Sequence, residues 1–266
     1  MADFKNLWSK SGARYVEYSS KFSQYIETSQ IIVELAGIAP GQTVVDLACG
    51  SGLTAVEIAK KLAGSGRIYC VDFAESMLNE ARKIVPPKLA EFIVASAEEL
   101  AGNIPELVDR VIANAAFWQF RDQANVLKSI RNILKPDGKF AFSLPQQFYE
   151  MAGESHRGLI VRAIFKEMEM RGYDPKDSFV PKLTEKTLTK LLLDNGFAVQ
   201  TIERRELAET TLDDGLAFFL IPAVAPFFEK VPLKVQKEIL TSVRQKLRDS
   251  YAPSPNRWAF VVATLR

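Results

Sequence analysis

Short apolar runs alternate with amphipathic stretches through the first 145 residues of the chain. TVVDLA (43–48), RIYCVDF (67–73), EFIVAS (91–96), DRVIANA (109–115) and GKFAFSL (138–144) read as strands, being β-branched or aromatic runs bounded by turn residues. Between them LTAVEIAKKLA (53–63), SMLNEARKIV (76–85) and a stretch over about 121–134 read as helices. Pro136-Asp137-Gly138 is a turn signal. Strands alternating with helices imply βαβ crossovers and a parallel sheet covered on both faces. Ahead of this alternation, Tyr15, Tyr18, Phe22, Ile26, Ile32 and Leu35 recur near the helical period. They predict a single helix over 13–36, stopped by Gly37 and Pro40-Gly41.

After Leu144 the rhythm changes. Ser155 is placed to cap a helix over 156–171, with Leu159, Ile160, Ala163, Ile164, Phe165 and Met168 on its apolar side and Gly172 at its end. Thr184 is placed to cap another, closed by Gly196. A strand over 196–207, helices over about 212–222 and 232–249, and a closing strand RWAFVVATLR complete the pattern. The apolar segment LAFFLIPAVAPFF (216–228) is too short for a membrane span and is interrupted by Pro222 and Pro226. It reads either as a buried helix pair or as the wall of a pocket for an apolar ligand. No repeat or low-complexity linker divides the chain. The expectation is one domain over residues 1–266, with an N-terminal cap helix at about 13–36 and an insertion at about 146–183.

Composition narrows the functional classes. Of 266 residues, 47% are hydrophobic and 25% charged, which suits a packed globular domain and excludes a disordered one. The net charge of +2 offers no electrostatic reason for a nucleic-acid partner. The isolated pairs Lys60-Lys61 and Arg204-Arg205 read as solvated faces. Cys49 and Cys70 have neither a CxxC spacing nor a histidine nearby, so no metal site is expected and a reducing setting fits. The start, MADFKNLWSK, lacks an apolar core for a signal peptide, so the expected location is cytoplasmic, with no stable membrane insertion.

The chemistry gathers in VVDLACGSGLT (44–54). A hydrophobic strand ends in Asp46, a Gly50-x-Gly52 turn follows, and a helix begins. Glycines let backbone approach a ligand, and a helix start offers unpaired N–H groups. The same pattern fits a dinucleotide fingerprint. Asp46 separates the two readings: a carboxylate four residues before Gly50 would repel a pyrophosphate but would suit a ligand bearing an ammonium. Asp72 ends the second strand twenty residues after Gly52, where a carboxylate accepts hydrogen bonds from ribose hydroxyls. Phe73 and Met77 could flank an adenine ring, against a competing reading as core packing. An acid at the end of an apolar strand is costly without a partner.

In that order and spacing VVDLACGSG, YCVDFAESML, VASAEEL, DRVIANAAFWQF and LKPDGKFAFSLP resemble the class I S-adenosylmethionine-dependent methyltransferases, above all the branch acting on quinones, sterols and natural products. The resemblance implies a doubly wound, Rossmann-like α/β fold: a seven-stranded sheet, mostly parallel with the last strand antiparallel, plus a helical lid insertion. It implies that Asp46 and the Gly50–Gly52 turn hold the methionine part of S-adenosyl-L-methionine, that Asp72 binds its ribose, and that Phe73 and Met77 sandwich the adenine. Ala97, with Ser96 and Glu98, would meet the adenine edge. Asn114 would face the methionine amine, and Tyr15 and Tyr18 would close over the cofactor. Ser96 stands where relatives often carry Asp. Asn114-Ala115-Ala116-Phe117 lacks the two prolines of the Asn-Pro-Pro-aromatic box that marks methylation of nucleobase or amide nitrogens.

The implied reaction is an in-line methyl transfer to O, C or N of a small molecule, accelerated by positioning and by exclusion of water. The insertion, with Phe148, Tyr149, Ile160 and Phe165, and the nearby Trp118 suggest an apolar or aromatic acceptor. His156, the only histidine, is a candidate general base in the first turn of the lid helix, with Tyr149 and Glu154 as substitutes. A relative that binds the cofactor but catalyses a cyclisation is one alternative; a protein or RNA methyltransferase is another.

Overall fold

The computed structural model describes residues 4–146, 148–149, 156–175 and 183–266. Its elements run α1 (Phe4–Ser9), α2 (Gly12–Lys21), α3 (Gln24–Ala36), β1 (Thr43–Leu47), α4 (Leu53–Leu62), β2 (Arg67–Asp72), α5 (Glu75–Ile84) and β3 (Ala90–Val94). Then come α6 (Leu100–Asn103), β4 (Val108–Ala113), α7 (Gln123–Ile133), β5 (Leu134–Pro145), α8 (His156–Met170) and α9 (Glu185–Asp194). The chain closes with β6 (Phe197–Thr210), α10 (Leu212–Phe218), α11 (Leu233–Leu247) and β7 (Ser254–Leu265). The seven strands form one sheet in the order β3-β2-β1-β4-β5-β7-β6. β1 to β5 are parallel, and β7 runs antiparallel between β5 and β6. The order reverses at β1, where doubly wound sheets open a crevice beyond the strand carboxyl ends.

Period-two alternation sorts the strand side chains onto two cores. Val44, Ile68, Ile112, Ala141, Phe260 and Val262 face one side with residues of α3, α4, α5, α8, α10 and α11. Val45, Tyr69, Val111, Phe140, Phe142 and Val261 face the other, with residues of α6, α7 and α9. Both faces being dry, the parallel strands read as continuous apolar runs, which is why they were legible.

Three expectations change. The helix over 13–36 is two helices, α2 and α3, joined at an extended Phe22. Ser19 and Ser20 each donate to a carbonyl three residues back, at 3.2 and 2.9 Å, and such side-chain competition with the backbone ladder loosens the helix where they cluster. Pro136-Asp137-Gly138 lies inside β5 rather than in a turn before it; pairing steps from Val108↔Leu134 to Arg110↔Lys139, so the extra residues bulge out of the ladder. The segment 216–228 is neither a helix pair nor a long helix. α10 stops at Phe218, and Pro226 begins a single 3₁₀ turn. The Thr184 cap stands as expected, accepting the Thr187 N–H at 3.1 Å. The Ser155 cap lies outside the described residues.

Within the 146–183 insertion the described helix is α8. Ile160, Ile164 and Met168 recur along one face, wholly buried in the core shared with α10 and α11. Glu167, buried on the same helix, pairs with Arg171 and with Lys246 of α11. No helix among the described residues is long and apolar enough to cross a membrane.

Gly52 opens α4 with φ +88°, and a methyl group there would stand 2.7 Å from Val85 Cγ2 and 2.9 Å from Ala81 Cβ. Its small size therefore serves the approach of α4 to α5. Gly52→Ala combines a left-handed backbone with overpacking and should lower stability by about 2–4 kcal/mol in urea unfolding. An unchanged midpoint would mean that α5 yields freely.

Candidate active site

The polar groups at the strand carboxyl ends share one face of the sheet. Asp46 follows Val44, Asp72 follows Ile68 and Cys70, Asn114 follows Ile112, and Ser143 follows Ala141, each two residues on from apolar neighbours packed under α3, α4 and α5. Every other strand position supplies core until the strand ends, and the last position on that face supplies chemistry. Two alanines just beyond the strand ends, Ala48 and Ala115, hold positive φ values of 56° and 55°. Non-glycine residues rarely adopt that region, and it marks backbone held in place by its surroundings.

Asp46 is 1% exposed, and its Oδ2 has no hydrogen-bond partner. Burial, then the nearby Asp72 carboxylate, push its carboxyl well above the usual range; an N–H of Ala55 opposes them. Asp72 is also buried. Its Oδ2 accepts the Gly50 N–H at 2.9 Å and its Oδ1 the Ala74 N–H at 2.9 Å. Desolvation raises its carboxyl to about 6 against those two hydrogen bonds. A carboxylate has about four acceptor positions, so this clamp fixes the group while each oxygen can accept again. Tyr15 stands close enough to both acids for their charges to raise its phenol, after burial and Tyr25.

The other expected residues divide into those gathered here and those turned elsewhere. Met77 is buried, and its Cε lies 3.3 Å from where a Cβ on Gly50 would be, so α5 packs against the glycine turn. Phe73 is half-buried. Ser96 caps the 3₁₀ turn Ala97–Glu99 and donates its hydroxyl to Glu99 Oε2 at 2.8 Å; Ala97 is buried and Glu98 half-buried. Asn114 points into α3: its amide nitrogen reaches Thr28 Oγ1 and Ser29 Oγ at 3.1 Å and Thr54 Oγ1 at 3.2 Å. Its carbonyl accepts Ser143 Oγ at 2.6 Å. The side chain thus welds β4 to α3, α4 and β5. Tyr18 does not accompany Tyr15. Its hydroxyl donates to Asp214 of α10 and accepts from Gln24 Nε2 at 2.7 Å, while Asn256 of β7 donates to Gln24. This buried chain ties α2 and α3 to the far half of the sheet.

His156 opens α8, but its side chain, like Glu154 and Ser155, lies outside the described residues. Tyr149 is fully buried in the core of the opposite face, with the Arg204 guanidinium 5.7 Å from its ring centre. That placement removes it from the proton-acceptor candidates. Trp118 stacks on Phe148 at 4.7 Å. The N-terminal helices cover the strand ends directly: Trp8 Nε1 donates to Gln119 Oε1 at 2.6 Å and Ser76 Oγ to the Ser9 carbonyl at 3.0 Å. Thr28 and Ser29 carried a signal in the sequence, since their hydroxyls interrupt the apolar positions between Tyr25 and Ile32; Thr54, on α4, carried none. Gln24, Asp214 and Asn256 carried none, being brought together only by the fold. Among the described residues, no group of three or more His, Cys, Asp or Glu is placed to hold a metal ion.

Against known proteins, the family described as "Methyltransferase domain" matches residues 38–196, more than half of the chain. The chain is 26% identical over 115 residues to 2-phytyl-1,4-naphtoquinone methyltransferase of Trichormus variabilis, covering 42% of this chain and 50% of that protein. It is 29% identical over 175 residues to malonyl-[acyl-carrier protein] O-methyltransferase of Halalkalibacterium halodurans, covering 64% and 60%. The chain spans about half the length of the first of these relatives. Among solved structures, a phosphoethanolamine N-methyltransferase of Haemonchus contortus bound to S-adenosylhomocysteine shares the fold, with TM-score 0.54 and 19% identity over 90% of this chain and 52% of that one.

The two raised acids make ligand-free stability depend on pH. Between the ordinary carboxylate range near 4 and the folded value of about 6, native Asp72 keeps a proton that the unfolded chain has released. Stability should therefore fall as pH rises through that window, by up to about 3 kcal/mol, and Asp46 should extend the fall. Urea unfolding from pH 4 to 8 measures this. Asp46→Asn should flatten the profile and be the more stable protein at pH 8; a profile identical to wild type would show that the buried charge costs nothing.

Proposed function

We propose that this chain, which belongs to the methyltransferase-domain family, is a class I S-adenosylmethionine-dependent methyltransferase acting on a small apolar or aromatic molecule. One observation carries the reading: Asp46 holds an unpartnered carboxylate oxygen in a dry site at the end of β1, beside the Gly50 turn and the clamped Asp72. A buried acceptor of that kind is stable only opposite a cation or donor. S-Adenosylmethionine presents an ammonium to the first acid and a ribose diol to the second, and no phosphate to repel either.

In this assignment Asp46 and the Gly50–Gly52 turn hold the methionine portion, and Asp72 accepts both ribose hydroxyls. Phe73, Met77, Ala97 and its neighbours Ser96 and Glu98 border the adenine. Tyr15 roofs the acids, Tyr18 locks that roof from behind, and Asn114 sets the spacing between β4 and α3. When bound, the cofactor supplies a methyl group already activated on a sulfonium. The chain's own residues need only orient donor and acceptor and keep water away, and orientation of this kind accounts for up to about 7–11 kcal/mol in well-aligned systems. The covering helices favour a small acceptor over a protein or RNA, and the name of the quinone relative points the same way. His156 remains the candidate base for a hydroxyl acceptor.

Calorimetric titration with S-adenosylhomocysteine should give micromolar binding or tighter. Asp72→Ala should weaken it some 30–150-fold, the loss of about 2–3 kcal/mol of charged hydrogen bonding. Asp46→Asn should weaken it while leaving the fold intact by circular dichroism. Wild-type affinity in both variants would place the cofactor elsewhere and end the assignment. Transfer of a labelled methyl group to a small apolar acceptor separates this reading from a cyclase on the same fold, which would bind the cofactor and consume none.

A further inference from the structure

Besides Asp46 Oδ2, one other buried side-chain atom among the described residues stands with neither a hydrogen bond nor an ion pair. It is Trp258 Nε1. The cofactor assignment accounts for the first and leaves the second unexplained. Trp258 is completely buried on β7, opposite Pro145 at the carboxyl end of β5 and Arg205 of β6. Alternation along β7 puts it on the same face as Asn256 and Phe260, the face that carries Asp46 and Asp72.

Aromatic contacts locate this donor with respect to the acids. The Trp258 ring meets Tyr25 edge-on, centroids 6.3 Å apart. Tyr25 in turn lies 5.3 Å from Tyr15, the ring that feels both carboxylates, and 6.2 Å from Tyr18. The Trp258 ring is therefore separated from the two acids by Tyr25 and Tyr15, toward the β5–β7 half of the sheet. An indole nitrogen donates and never accepts, so whatever completes it must offer a lone pair. Trp258 belongs to the hydrophobic core of this face, with Tyr25 against its ring, so a molecule that brings the lone pair there must be otherwise apolar.

We propose that Trp258 Nε1–H anchors the acceptor molecule by donating to one of its oxygens, a carbonyl or phenolic oxygen on an apolar ring. The proposal rests on the methyltransferase reading and adds a substrate class to it. The two unpartnered atoms then divide the ligands by charge: a carboxylate takes the cationic donor, and an indole takes the oxygen of the uncharged acceptor. Trp258 is a specificity-determining residue in this scheme. A site built to hydrogen-bond an oxygen discriminates strongly against the analogue that lacks it, because the buried donor is otherwise left unpaired.

The test uses the full chain and two probes of matching shape, 1-tetralone, which has a carbonyl, and tetralin, which does not. The chain has three tryptophans, so three indole N–H signals appear in a proton–nitrogen correlation spectrum. Trp258→Phe assigns one of them; if that variant fails to fold, Trp8→Phe and Trp118→Phe assign it by elimination. 1-Tetralone should move the Trp258 signal downfield and bind about tenfold or more tighter than tetralin. In Trp258→Phe that preference should vanish with S-adenosylhomocysteine affinity unchanged. Equal response to both probes, or a Trp258 signal indifferent to 1-tetralone, overturns the proposal. Titrating S-adenosylhomocysteine in the same samples tests the cofactor assignment separately, so either reading can fail alone.

Discussion

A carboxylate with one oxygen unpartnered at the end of a dry strand is the constraint around which this half of the molecule is arranged. Asp46 sits between β2 and β4 in a sheet covered on both faces, where an ionised group is costly unless something answers it. Within the fold, the Ala55 N–H relieves only part of that cost. The fold adds a second acid, Asp72, whose charge works against the first. It fixes that second acid with two backbone N–H groups and holds Ala48 in the left-handed region at the turn between strand and helix. Such features oppose folding and persist where ligand binding is the compensation.

The surrounding scaffold is built to hold that tension. Asn114 shares two amide protons among three hydroxyl oxygens from α3 and α4 and takes a fourth hydroxyl from β5. Four elements are thereby pinned at the level of the acids, without placing any additional charge among them. The Asn256–Gln24–Tyr18–Asp214 chain does the same between the N-terminal helices and the β6–β7 side. Satisfied buried networks of this kind specify one arrangement because every alternative leaves polar groups bare.

What was readable in the sequence follows from which forces are local. The parallel strands announced themselves because both faces of the sheet are buried, and Asp46, Asp72 and the glycine turn because each breaks an apolar run at its end. The break at Phe22 was hidden because Ile26 and Ile32 continue the helical period beyond it. The bulge in β5 was hidden because Pro136 and Gly138 read the same in a turn and in a ladder interruption. Tyr15 and Tyr18, three residues apart on one helix, looked equivalent; only tertiary structure sends one toward the acids and the other toward a residue 196 positions away. Gly52 was legible as a necessity of the turn, while its close packing against Ala81 and Val85 was visible only in the fold.

The rings extend this reasoning from the cofactor side to the rest of the sheet. Trp8, Tyr15, Tyr25 and Trp258 form a continuous edge-and-tilt series at 5.8, 5.3 and 6.3 Å. It crosses from α1, over the proposed cofactor site, to β7. Large aromatic side chains bury much area and keep few rotamers, so a series of them holds two distant polar atoms in fixed relation at little entropic cost. Trp8 satisfies its own N–H on Gln119, whereas Trp258 at the other end does not. That asymmetry within one ring series separates structure from recognition. Where a donor closes the roof the fold supplies its partner, and where a donor lies deep beside β5 the partner must come from outside the chain.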